Sequence, residues 1–364
     1  MEQIFALTKG NFAAQAHVGL PEGTFEEEHG RDGFFGRVSH LYHAHPPTGW
    51  TRIEGPLRPH AINTLELAAN GEPVTFLYND DVALKLTRPQ AAMAYSYRNA
   101  DGDDLYFIHR GTGTIETDFG PLAYEPGDYI VIPRGTTYRL LPATADNAYL
   151  LIESKTEIRL PDKGMLGRNA LFDAGVIQTP TPAPSLKADG EWELRVKRCG
   201  EITKIFYPFD PIDTVGWKGD LTVWKFNVRD FRPVTSHRYH LPPSVHTTVL
   251  ARNFVVCTFV PRPLETDPDA LKVPFFHRNI DFDEVIFYHA GDFFSRDGIA
   301  PGMVTFHPQG IHHGPHPKAL LNQGKKAHTD EYAVMVDTRN PLKLTPEAEA
   351  VEWKDYWASW GAHA

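Results

Sequence analysis

Between Gly33 and Ser154 the apolar positions fall in short runs, at Pro73 to Leu77, Leu105 to His109, Tyr129 to Pro133 and Ala148 to Glu153, each bounded by Gly, Pro, Asn or Asp. Runs of this length with turn residues at both ends predict the strands of a sandwich or barrel. The pattern breaks between about Leu160 and Gly190, where T-P-T-P-A-P-S removes ladder donors and forces extended, unpaired backbone, so a connector is expected there. Strand-like runs resume at Glu193 to Val196, Leu221 to Phe226, Thr247 to Leu250, Phe254 to Val260, Val285 to His289 and Glu331 to Val336. The last stretch, Thr345 to Trp360, has the spacing of a terminal helix docked by its aromatic residues. The predicted fold is mostly β, with a first β domain over 1–160, a Pro-rich connector over 161–190, and a second β domain over 191–364 that ends in a short helix.

The two predicted domains share a motif. Tyr97 to Gly111 reads Y-R-N-A-D-G-D-D-L-Y-F-I-H-R-G and His277 to Gly291 reads H-R-N-I-D-F-D-E-V-I-F-Y-H-A-G, without a gap and with seven of fifteen positions identical. A second pair follows, P-G-D-Y-I-V-I-P-R-G-T-T-Y from Pro126 and P-G-M-V-T-F-H-P-Q-G-I-H-H from Pro301. Each copy places a carboxylate, six residues and then glycine, as Asp104 with Gly111 and Glu284 with Gly291. A repeat of this kind marks a duplicated structural unit, and two sequential β domains with a shared strand-turn-strand motif suit a bicupin, two double-sheet jelly rolls in one chain.

Composition narrows the partners. The 364 residues are 41% hydrophobic and 12% aromatic, enough for packed cores, and 29 Gly with 30 Pro favour short strands and turns over long helices. A formal charge of -10 argues against a nucleic-acid or anionic-membrane surface and leaves a small molecule as the expected ligand. Two cysteines, Cys199 and Cys257, make no disulfide framework, and the N-terminus lacks a basic start followed by a sustained apolar stretch. A soluble, cytoplasmic protein is expected.

Chemistry separates the two copies. In the aligned columns Tyr97 stands where His277 does, Asp104 where Glu284 does, and Tyr138 where His313 does. The second copy therefore gains two imidazoles and a longer carboxylate, which ordinary core or turn residues have no reason to do in concert. His277 and Glu284 are seven apart and differ in strand parity, so a turn through N-I-D-F-D must separate them. Two imidazoles and one carboxylate on one face of a metal leave room for substrate and oxidant together, the arrangement of non-haem Fe(II) oxygenases. Zinc in the same cage would serve hydrolysis or isomerisation instead.

The run P-F-F-H-R-N before the candidate Glu284, the run H-P-Q-G-I-H-H-G-P, V-G-W-K-G-D-L-T-V-W-K-F-N-V-R-D-F from Val215, and N-A-D-G-D-D in the first copy resemble the homogentisate 1,2-dioxygenase family from about Gln90 to about Arg339. The resemblance implies a two-domain β fold with iron in the C-terminal jelly roll, trimer-based homo-oligomers, and Fe(II) held by His277, Glu284 and His313. It implies a substrate-contacting role for His240, in S-H-R-Y-H-L-P-P-S, and a second pocket position for His307. The reaction it implies is ring opening of a 1,4-dihydroxylated aromatic acid by dioxygen, homogentisate giving maleylacetoacetate in aromatic amino acid catabolism. Phe293 stands where family members carry a substrate-holding tyrosine, which favours the alternative of a different hydroquinone or catechol; a non-oxidative metal cupin that binds or isomerises a small acid is a separate alternative. His307 has a bracing role as its other reading, and His240 a structural one. His237, His246, His312 and His316 read as solvated or structural. His289 has its counterpart in His109, and Arg278 and Asn279 recur as Arg98 and Asn99, which points to shared packing and turn structure.

Overall fold

The alternation expected of half-covered strands is present along Val82–Thr87, whereas Asp103–Arg110 and Asp128–Ile132 are buried on almost every residue because both of their faces are covered. The computed structural model describes residues 7–183, 190–272, 274–322 and 325–361. Their strands build two double-sheet halves. The first joins a seven-stranded sheet, ordered Trp224–Asn227, Asp128–Ile132, Asp103–Arg110, Ala148–Ser154, Val82–Thr87, Val74–Tyr78 and Lys343–Leu344, to a six-stranded sheet. The latter runs Glu201–Tyr207, Trp192–Arg198, Ser96–Asn99, Thr137–Pro142, Gly113–Thr117 and Leu122–Tyr124. The second half has a six-stranded sheet, Thr247–Ala251, Phe254–Phe259, Asp330–Thr338, Asp283–Asp292, Met303–His307 and His60–Asn63, and a three-stranded one, Phe276–His277, Phe25–Gly30 and Val38–His43.

The sheets do not divide at 161–190. Trp192–Asn227, expected in the second domain, completes the first, and Phe25–Asn63, expected in the first, completes the second. An apolar run marks a strand but not its partner, because backbone donors pair with any edge brought alongside. The described part of the connector holds two single 3₁₀ turns, Gly164–Leu166 and Ala174–Val176, and isolated bridges such as Gln178 with Lys225. Residues 184–189 lie outside the described residues.

The expected terminal helix is instead one short α-helix, Pro346–Ala350, and one 3₁₀ turn, Tyr356–Trp360. Thr345 caps the first by accepting from the Ala348 amide at 3.2 Å. Between the two turns the backbone pairs with the edge strand His60–Asn63, through the Asn63 amide on the Val351 carbonyl at 3.1 Å and the Trp353 amide on the Ala61 carbonyl at 2.8 Å. An open strand edge thus outcompetes the helix for those residues. The aromatic docking holds, since Tyr356 and Trp360 are fully buried.

Parity along the strands sorts the core into three layers. Leu105, Phe107, Tyr129 and Val131 pack with Val285, Phe287, Val304 and Val334 in one cluster between the halves. The alternate residues Tyr106, Ile108, Ile130 and Ile132 fill the first half, and Ile286, Tyr288 and Met335 fill the second. Repeat equivalents meet across the middle layer: Phe107 lies 6.2 Å from Phe287, and the His109 and His289 Nδ1 atoms are hydrogen-bonded at 3.0 Å. The duplicated strands therefore face each other about a local two-fold. The shared histidine is a packing element, with both imidazoles pushed down by burial, to about 3 and about 4.

By the same parity Asp104 points into the first half and Glu284 into the second. In the first, phenols occupy the place of a ligand cage. Tyr138 donates to Asp104 Oδ2 at 3.0 Å, Asn99 donates to Oδ1 at 2.8 Å, and the Tyr97 and Tyr138 rings pack edge to face at 5.5 Å. Burial, and then repulsion from Glu153, raises the Asp104 carboxyl from its ordinary 3.8 to about 6. Folding therefore favours its protonated form. Below the ordinary value both states are protonated and nothing is lost, whereas stability falls as pH rises through that value and the loss is complete above about 6. Asp104→Asn is expected to stabilise the protein by on the order of 1 to 3 kcal/mol above neutrality and to give no gain near the ordinary carboxylate range. Urea denaturation at the two pH values measures the difference.

Candidate metal centre

His277 closes the short strand Phe276–His277, and Glu284 is the second residue of Asp283–Asp292. Between them the chain turns with Asn279 at φ 35° and the Phe282 amide on the Asn279 carbonyl at 2.8 Å, so the required turn is present. His313 follows a second turn, at Pro308 to Ile311, and exchanges backbone hydrogen bonds with His277 at 2.9 and 2.8 Å. Gly314 permits that approach, because a Cβ there would sit 2.8 Å from the Phe275 carbonyl and its φ is 147°. In the first half Tyr97 and Tyr138 occupy the same paired register.

The three side chains converge. Glu284 Oε2 lies 3.5 Å from His277 Nε2 and 3.5 Å from His313 Nε2, all three residues are buried, and their donor atoms fall within 4.8 Å of one another. His277 Nδ1 faces the Phe275 carbonyl at 3.1 Å and His313 Nδ1 faces the Ile311 carbonyl at 3.2 Å. Those carbonyls assign the ring protons to Nδ1 and leave the Nε2 lone pairs aimed at Glu284. His313 Nε2 is buried with no hydrogen-bond partner among the described residues. Two neutral imidazoles, one carboxylate and an orphaned inward nitrogen fit a first-row divalent metal.

Electrostatics favour the same occupant. Burial opposes ionisation of Glu284, but the imidazoles of His313, His277 and His307 gathered around it hold the carboxyl well below its usual range. Asp337, paired beside it in register, is pushed far upward by burial and by the Glu284 and Asp283 charges, so Glu284 carries the negative charge of this pair. His307 Nδ1 donates to Glu284 Oε1 at 3.1 Å, and Arg296 Nη2 lies 3.6 Å from the same oxygen. Arg296 is fixed in turn by the Gly314 carbonyl at 2.9 Å.

A cavity of about 80 Å³ opens on His277 and Glu284 and is walled by Phe34, Phe275 and Phe294, with His240, Arg262 and Glu331 opposite in polarity. His240 Nδ1 lies 3.1 Å from Glu265 and its ring lies 3.4 Å from Arg262 Nη2. Burial, only partly offset by Glu265, lowers the His240 pKa and keeps the imidazole neutral. Lys272, at the rim, is tied to the Glu265 and Asp267 carbonyls.

The sequence-selected histidines therefore separate by place. His240 is on the cavity wall. His307 is fully buried behind the triad, stacked on His313 at 4.7 Å, and does not line the cavity, so its geometry is that of a brace. His246 is buried and also lines the cavity, His316 is buried away from it, His312 contacts Glu27 at 3.2 Å, and His237 is exposed. Arg278 is engaged by Glu27 at 3.1 Å, whereas its counterpart Arg98 donates to Thr137. Phe293, expected at the substrate, packs on Tyr288 at 4.8 Å and does not line the cavity. Sequence reasoning missed Arg262, Glu265 and Arg296. None of them sits in the repeat, and no spacing singles them out.

Residues 60–228 match the family model for the homogentisate 1,2-dioxygenase N-terminal domain and 229–364 that for the C-terminal domain. The boundary falls just after Trp224–Asn227, an edge strand of the first half's seven-stranded sheet. A protein of Saccharolobus solfataricus named provisionally as a dioxygenase is 33% identical over 98% of this chain and 99% of its own length. Homogentisate 1,2-dioxygenase of Bradyrhizobium diazoefficiens is 30% identical over 69% of this chain, and that of Rhodopseudomonas palustris 30% over 70%, the alignments spanning 59% of each enzyme. A cupin 2 conserved barrel domain protein from Leptotrichia buccalis is 12% identical over 77% of this chain and 96% of its own, with a TM-score of 0.35. The chain belongs to the homogentisate 1,2-dioxygenase family.

Proposed function

We propose that this protein is an Fe(II)-dependent dioxygenase that opens the ring of a dihydroxylated aromatic acid of the homogentisate type. The observation that carries the reading is the buried convergence of His277, Glu284 and His313, of which His277 and Glu284 line a cavity that also presents Arg262 and His240. His277, Glu284 and His313 would hold the iron, which when bound supplies a site where the aromatic ring and dioxygen exchange electrons. Membership of the family supports that metal and those co-substrates. A catabolic role for aromatic amino acids, a cytoplasmic setting and trimer-based assembly belong to the same proposal.

The chain's own groups have separable tasks. Arg262 presents a guanidinium toward the cavity and anchors the substrate carboxylate, as a charge-assisted bond does best in a desolvated wall. His240, neutral at working pH, accepts a phenolic proton and returns it to the product, with Glu265 holding its Nδ1–H. The phenyl rings of Phe34, Phe275 and Phe294 exclude water and seat the ring. His307 and Arg296 keep Glu284 ionised and in place.

The test is oxygen uptake by the Fe(II)-loaded protein over a panel of homogentisate, its side-chain-shortened and side-chain-lengthened relatives, and catechols. About one dioxygen consumed per ring opened is the expected result, and tight binding of the acids with no oxygen consumed would defeat it in favour of a non-oxidative cupin. A second reading, a different hydroquinone or catechol, is favoured by Tyr288, which lines the cavity but has its hydroxyl engaged with Thr305 at 2.9 Å. Maximal kcat/KM on a compound other than homogentisate would select it. His240→Gln is expected to lower kcat by about 100-fold or more while leaving iron content unchanged, as loss of an acid/base group does. A KM change alone would reduce His240 to a binding role.

A further inference from the structure

A second cluster of metal-type donors lies away from the triad, in a segment the family models do not cover. His17, Glu26 and His40 bring one donor atom each to within 4.8 Å of the others. Strand parity builds two walls of it: Glu26 and Glu28 point to one face of Phe25–Gly30, and the antiparallel register sets Glu28 opposite His40. His17 closes the third side from a loop. Its amide donates to Glu26 Oε1 at 3.0 Å, its Nδ1 contacts the same carboxylate, and its Nε2 lies 3.6 Å from Glu28 Oε2.

We propose that His17, Glu26 and His40 form a second site for a first-row divalent cation of the zinc class. His17 would ligate through Nδ1, with Glu28 accepting from its Nε2–H as the outer carboxylate that orients a metal-bound imidazole. Three observations point to a ligand beyond an ion pair. His40 Nδ1 is buried with no hydrogen-bond partner among the described residues. Two carboxylates, Glu26 at 0% and Glu28 at 12% side-chain exposure, flank one imidazole, an excess of negative charge that a dication neutralises. His17 is held at φ 66°, a left-handed conformation that a non-glycine residue keeps only when its surroundings over-determine it.

The consequence is structural. The His17 ring lies flat on Phe275 at 4.1 Å with an interplanar angle of 6°, its carbonyl accepts from the Leu271 amide at 3.0 Å, and the Phe275 carbonyl in turn orients His277. The ion clips the chain around His17 onto one wall of the cavity and takes no part in the chemistry.

Metal counting tests this on the full chain. Metal-stripped protein titrated with Zn²⁺ and desalted is expected to retain two equivalents by mass spectrometry. Glu284→Ala is expected to keep one and His40→Gln to keep one, each folded by circular dichroism; Glu26→Gln serves should His40→Gln not fold. In Glu284→Ala the remaining site should still give a Zn²⁺-dependent rise in Tm. One equivalent in the parent protein, two in folded His40→Gln, or no Tm response in Glu284→Ala overturns the proposal and leaves an ion pair only. Oxygen uptake is unaffected by that failure, so the dioxygenase reading stands or falls separately.

Discussion

Glu284→Ala is expected to strip the iron and to lower kcat/KM by at least about 100-fold, the upper end of what loss of an outer-shell partner alone would cost. Glu284 is buried and held ionised, its Oε2 is shared between His277 and His313, and its Oε1 is braced by His307 and Arg296. Alanine leaves two neutral imidazoles with no anion between them, and affinity for a divalent cation collapses because, among the described residues, no other ionised carboxylate completes that cluster. Iron content after desalting and oxygen uptake are the two measurements. Retention of both metal and turnover would remove the ligand assignment for all three residues, since their geometry is a single convergence.

Trp360→Ala is expected to cost about 3 to 5 kcal/mol, the range for emptying a large buried aromatic site. Trp360 is fully buried, with its ring 5.3 Å from His307, 5.3 Å from His316 and 5.4 Å below the Arg296 guanidinium. The two groups that brace Glu284 therefore rest on this one indole, and iron affinity should fall together with stability, by about 10 to 100-fold. Trp360→Phe, which keeps a ring under His307, should recover most of both. Urea denaturation of the iron-free protein isolates the packing loss from the metal contribution. A loss of less than about 1 kcal/mol would mean that the tail does not support the site.

Much of the centre was legible before any fold was known, for a reason particular to this chain. A duplicated unit supplies its own control, and the exchange of Tyr97, Asp104 and Tyr138 for His277, Glu284 and His313 singles out three positions among many histidines. Parity then placed the turn between His277 and Glu284. The pairing of His109 with His289 also followed from the repeat, although their direct contact at 3.0 Å did not. Arg262, Glu265 and Arg296 stayed invisible because a guanidinium or carboxylate acquires meaning from what it faces, and nothing in P-R-P or F-S-R-D says what that is. His307 looked like a pocket residue by its family resemblance, while its place directly before the Pro-Gln-Gly turn allowed a bracing role. The register of Met303–His307 against Asp283–Asp292 turned it behind the ligands instead.

Local pattern by itself determined that the chain is mostly β, that its unit is duplicated, and which copy carries metal donors, since each of these depends on residue type and on spacing within a strand or turn. Tertiary structure alone decided which strands complete which half, with Trp192–Asn227 and Phe25–Asn63 exchanged relative to chain order, and why Val351 and Trp353 leave a helix for a strand edge. Those outcomes turn on backbone hydrogen bonds that are chemically identical everywhere along the chain. Only the global arrangement of edges and buried faces chooses among them.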